Sequence, residues 1–189
     1  MAEIIESARE SLVIVGSSPL LEFYKSPEVL IKKFATLRSV TIAYLPPQAT
    51  HLQSRIVQSG DVDMRPELQT HQLLIDRLKG ELPAGKVEFI AYDLPPAEFF
   101  YICDDRMLLF TWYPLGRPGE HSPCLFVDDL QKSKDSRKFL DYFMSSSKFI
   151  RVKSNAAHKA ATKVDSLKAS LFDTATSAAQ PGKNLADEV

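Results

Sequence analysis

Residues 99–113, FFYICDDRMLLFTWY, constrain the fold of this chain more than any other stretch. Aromatic, β-branched and large apolar side chains run unbroken on both sides of Asp104-Asp105-Arg106, which predicts two strands joined at a charged turn. Neither strand has a polar face. A strand apolar on both faces belongs inside a sheet covered on both sides, so helices must come from elsewhere in the chain.

The flanking sequence supplies them. Ser11–Ser18 (SLVIVGSS) has the β-branched run and Gly/Ser ending of a buried strand, after a short helix predicted over Ala2–Ala8. Ser26-Pro27-Glu28 then reads as a helix start, with a serine cap, proline in the first turn and an acid at the positive dipole end. Its buried stripe is predicted as Val29, Leu30, Phe34 and Leu37. Ser39–Tyr44 (SVTIAY) is a second strand of parallel type, stopped by Pro46 and Pro47. Gln48–Met64 is polar without a clean period and reads as a loop or short helix. In Arg65–Leu82, by contrast, Leu68, Ile75, Leu78 and Leu82 recur at helical spacing.

Val87–Tyr92 is a third strand leading into the hairpin. Beyond it, Leu115–Pro123 reads as a loop, Cys124–Asp128 (CLFVD) as a further strand, and Asp135 or Ser136 as the cap of a helix facing Phe139, Leu140, Phe143 and Phe149 inward. The predicted order is β-α-β-α-β-β-β-β-α. This is an α/β fold, a mixed and mostly parallel sheet flanked by helices, over residues 1–152. Residues 153–189 turn to Ala, Ser, Thr and Lys and read as a tail. Within it Ala157, Ala160, Val164, Leu167 and Leu171 predict an amphipathic helix, read first as a solvated helix and second as an association helix.

Composition narrows the partners. With 23 basic against 24 acidic side chains there is no overall field to hold a polyanion, so nucleic acid is not expected as a partner. No apolar run approaches the ~20 residues of a membrane span, and no signal peptide is read at the N-terminus, so a cytoplasmic location is expected. Cys103 and Cys124 are expected as small buried hydrophobes in strands.

SLVIVGSS, SVTIAYLPP and FFYICDDRMLLFTWY, followed by SPCLFVDDL, together resemble half of the phospholipase D-like fold, in which a βαβαβ segment feeds a hairpin with an acidic turn. The resemblance covers roughly residues 3–152 and is nearest to the catalytically silent members that accompany bacterial regulatory proteins. Active members carry H-x-K-x-x-x-x-D in the strand entering the turn. Setting that aspartate on Asp104 puts Ala97 at the histidine position and Phe99 at the lysine position, and setting it on Asp105 gives Glu98 and Phe100. Neither register supplies a nucleophilic histidine or a phosphate-binding cation, so the family's phosphoryl-transfer reaction is not expected. Asp104 is explained as a turn residue bonded to its local backbone.

The candidate ligand site is the rim at the carboxyl ends of the strands: Ser17, Ser18, Tyr92, Asp93, Tyr113 and Arg117, beside Tyr44 and Trp112. Backbone N–H groups of Gly16-Ser17-Ser18 could hold an anion, although a plain turn is the simpler reading because the spacing is not that of a phosphate loop. Buried aromatics are likewise more often core than ligand box. Of the histidines, only His121, near Glu120 and Cys124, hints at metal spacing, and no second ligand pair accompanies it. No catalytic residue, cofactor or metal is expected. The functional expectation is a non-catalytic regulatory or binding module recognising a small ligand or a protein partner, with a homodimer left open. The alternatives are a hydrolase or nucleotide-processing enzyme, or a scaffold acting through its C-terminal helix.

Overall fold

The computed structural model describes residues 2–60, 62–94, 98–113, 122–148, 150 and 153. All lie in the compact unit Met1–Ser154. The expected tail helix, Arg117, His121 and Phe149 fall outside the described residues.

Six strands form one mixed sheet in the order β3-β2-β1-β4-β5-β6. β1 (Ser11–Gly16), β2 (Ser39–Tyr44) and β3 (Val87–Ala91) are parallel. β4 (Glu98–Cys103) runs antiparallel to β1 in the centre, followed by antiparallel β5 (Met107–Trp112) and the edge strand β6 (Leu125–Val127). The fold is therefore α/β, with the parallel strands together on one side.

Alternation along each central strand divides the core in two. Leu12 and Ile14 of β1, Ile42 of β2 and Tyr101 of β4 point to one face. Val15, Ala43, Phe100 and Ile102 point to the other. On the first face lie α1 (Ala2–Ser7), α2 (Pro27–Thr36) and most of α4 (Arg65–Glu81), through Ile5, Leu30, Phe34, Ile75 and Leu78. The second is covered by α3 (Leu52–Gln58) and a helix over residues 134–148, here α5, through Leu52, Ile56 and Phe143. The covering expected from the two-sided apolar strands is thus in place.

Several local expectations are corrected. Val29 lies off the α2 stripe and is exposed, while Leu30, Phe34 and Leu37 are buried as expected. Ser26 makes no side-chain cap bond. Ser133 rather than Asp135 or Ser136 caps α5, its Oγ accepting the Ser136 N–H at 3.0 Å. Phe139 is exposed on α5, where Phe143 carries the packing. Cys103 is buried, but Cys124 is exposed, because β6 is a short edge strand with one bonded neighbour.

The hairpin turn is tied to more than itself. Asp104 and Asp105 both have positive φ, at 55° and 53°, a backbone that aspartate tolerates better than most side chains. The Asp104 carboxylate accepts the backbone N–H groups of Arg9, Glu10 and Ser11 at 2.7–2.8 Å. Its bonding is long-range rather than local, and it fixes the start of β1 against the end of β4.

Candidate functional site

Because β5 runs in the same direction as β1, its end at Thr111-Trp112-Tyr113 meets the residues following β1. Between them opens a cavity of about 980 Å³, floored by apolar Leu21, Phe99 and Leu109 and walled by polar Ser17, Arg55 and Glu67. Its volume suits a small organic molecule.

Arg55 is the unusual wall residue. It projects from α3 on the same side as the buried Leu52 and Ile56, and only 2% of its surface is exposed. Its guanidinium lies over the Tyr113 ring, 3.9 Å from the centroid, an attractive cation–π arrangement. Nε and Nη1 are buried with no hydrogen-bond partner. Burial pulls the guanidinium below its ordinary pKa, against the opposing influence of Tyr113, Glu67 and Tyr92. An arginine remains a cation under such conditions.

The expected site residues divide. Ser17, Ser18 and Tyr113 line the cavity. Ser17 donates its N–H to Tyr113 Oη at 3.0 Å, so that amide is occupied and not free to cradle an anion. Ser18 Oγ donates to the Glu67 carboxylate. Tyr92 is buried behind the wall and does not line it; burial raises its hydroxyl well above the ordinary value, and burial raises that of Tyr113 as well, so both are neutral phenols. Asp93 points elsewhere, accepting Thr50 Oγ1 at 2.8 Å and the His51 N–H at 3.0 Å. Burial opposes its charge, but the bonds from His51 and Thr50 prevail and lower its pKa. Asp93 therefore anchors the chain entering α3.

Arg55 and Glu67 were missed by the rim argument, because both come from helices rather than from strand ends. A signal for Arg55 was present: Leu52, Arg55 and Ile56 recur at three and four, which places an arginine on the apolar side of a short helix. Among the described residues, no group of three or more His, Cys, Asp or Glu is placed to hold a metal ion. No described helix is long and apolar enough to cross a membrane.

No protein-family model matches the chain. A comparison with curated proteins likewise yields no match. Among solved structures the chain is similar to TrmBL2, described as an archaeal chromatin protein with a novel mode of DNA binding. The identity is 16% and the TM-score 0.44, over 77% of this chain and 46% of that one. This chain thus spans less than half of TrmBL2. The finding corrects one expectation: nucleic acid is no longer set aside as a partner. The physical flaw was to read a near-zero total charge as a statement about every local surface, since a sum over 23 basic and 24 acidic groups does not describe a patch.

Proposed function

We propose that this chain is a non-catalytic binding module with a phospholipase D-like fold, which takes a small ligand in the cavity between the end of β1, α3 and the end of β5. The observation that carries the reading is Arg55, a buried cation with two unpartnered donors, in the lining of a cavity large enough for a small molecule. Polar groups so placed in folded proteins are nearly always satisfied, and a bound ligand is one way to satisfy them.

The positions matched to the family's motif favour binding over catalysis. Phe99, at the lysine position in one register, contributes an apolar ring to the cavity floor. Glu98, at the histidine position in the other, is turned to the opposite face toward Ser146 and Tyr142; burial raises its pKa against their hydrogen bonds. A phenyl ring and a distant carboxyl cannot perform the family's nucleophilic step.

The test is a melting-temperature panel of small metabolites on the full chain and on a cavity-filled variant, Leu21→Trp. A ligand of the native state stabilises by about 2.7 kcal/mol at a hundredfold excess over its dissociation constant. The expected result is a compound that raises the melting temperature of the parent and not of the variant. Equal shifts in both would place binding elsewhere, and turnover abolished by Ser17→Ala would replace the reading with an enzyme.

A further inference from the structure

We infer that the ligand of this cavity carries an oxyanion, a carboxylate or a phosphoryl group, and that Arg55 is the residue that recognises it. The inference deepens the binding reading above and rests on it.

Removing a cation from water is costly even after relaxation, and proteins offset that cost with a partner anion and hydrogen bonds. Among the described residues no ion pair within 4.0 Å involves Arg55, and its Nε and Nη1 have no acceptor. The nearest candidate, Glu67, is close enough to favour the cation electrostatically. Its carboxylate, however, accepts the Ser18 hydroxyl.

What remains is a preorganised receptor. The cation–π contact with Tyr113 holds the guanidinium at the cavity lining, and its Nε and Nη1 are left without an acceptor. Planar, charged N–H donors match the oxygens of a carboxylate or phosphate better than they match a neutral carbonyl. Ser122 Oγ, also buried without a partner, lines the same cavity and can donate to a second oxygen. Lys25 adds another cation to the lining. At about 980 Å³ the space exceeds a bare ion, so the oxyanion belongs to an organic molecule whose hydroxyl or amine groups can meet Glu67.

The experiment uses the full chain at constant ionic strength, with inorganic phosphate, succinate and uncharged erythritol as probes and sodium chloride as the reference. Two readouts are followed: melting temperature, and the alkylation rate of Cys124, an exposed cysteine in the cavity lining. Phosphate or succinate is expected to raise the melting temperature above the chloride reference and to slow alkylation severalfold. Arg55→Met should weaken the effect at least tenfold, with Arg55→Lys between. Should Arg55→Met not fold, the Arg55→Lys variant and the alkylation of the parent chain still decide the matter. A response to phosphate alone identifies a phosphoryl ligand, and one to succinate alone a carboxylate. Anion responses undiminished in both arginine variants overturn the inference. If erythritol alone acts, the inference falls and the binding reading stands. If no probe acts on either readout, the inference falls, and if the metabolite panel is flat as well, the binding reading falls with it.

Discussion

At the scale of single residues, two groups make contrasting predictions. Burial works against the Asp104 carboxylate, but the N–H groups of Ser11, Glu10 and Arg9, aided by Lys33, hold its pKa below the ordinary value. A depressed folded pKa means that the stability it contributes is complete above the unfolded value of about 3.9 and is lost as pH falls through the folded one. Asp104→Asn keeps a residue that tolerates positive φ and removes the charge, so it should cost roughly 1–3 kcal/mol at pH 7. The gap between parent and variant should hold from pH 7 to 5 and close below about pH 4 in denaturant titrations. The cysteines differ as sharply. Burial, reinforced by Asp104, pushes the Cys103 thiol up to about 12, and its Sγ lies 3.0 Å from the Ile4 carbonyl. Cys124 is exposed. A thiol reagent should therefore modify Cys124 quickly and Cys103 only on unfolding, which peptide mapping after timed alkylation can establish. Equal rates would contradict the burial of β4.

At the scale of elements, the contact between the end of β1 and the start of β4 shapes the cavity floor. A Cβ on Gly16 would overlap the Phe99 ring. Gly16→Ala must displace that ring, at a cost of roughly 1–3 kcal/mol, and should weaken ligand binding by crowding the floor. Melting and titration of the variant check both effects. The hairpin was legible because strands covered on both faces carry an unbroken apolar run, and α2 and α4 because their stripes recur at the helical period. The β1–β4 pairing was not legible, since pairing between residues some 90 positions apart is decided by tertiary packing. α3 was only half legible: with 7 residues it is too short for a clean period, and Arg55 interrupts its apolar side. Of the rim, Ser17, Ser18 and Tyr113 were legible from the rule that ligands gather at strand ends, whereas Asp93 shares that position and is spent on Thr50 and His51.

At the scale of the whole molecule, acid stability depends on a group that the fold buries, as does the proposed ligand binding. His71 on α4 is fully buried beside the Tyr44 ring, with neither ring nitrogen partnered, and burial lowers its pKa to about 4. A histidine depressed on folding contributes fully above its unfolded value near 6.5 and loses that contribution as pH falls toward the folded one. The parent should lose roughly 2 kcal/mol between pH 7 and 4.5 on this account, and His71→Leu, which leaves no ring nitrogen unpartnered, should abolish most of that slope. A slope unchanged in the variant would assign the acid sensitivity to other groups. Whether Arg55 meets the ligand can be read from the arginine Nε–H resonances of the 15N-labelled full chain. One solvent-protected Nε–H signal, missing in Arg55→Lys, should shift as phosphate or succinate saturates the protein. A ligand that raises the melting temperature while leaving that signal in place would show that Arg55 does not meet it.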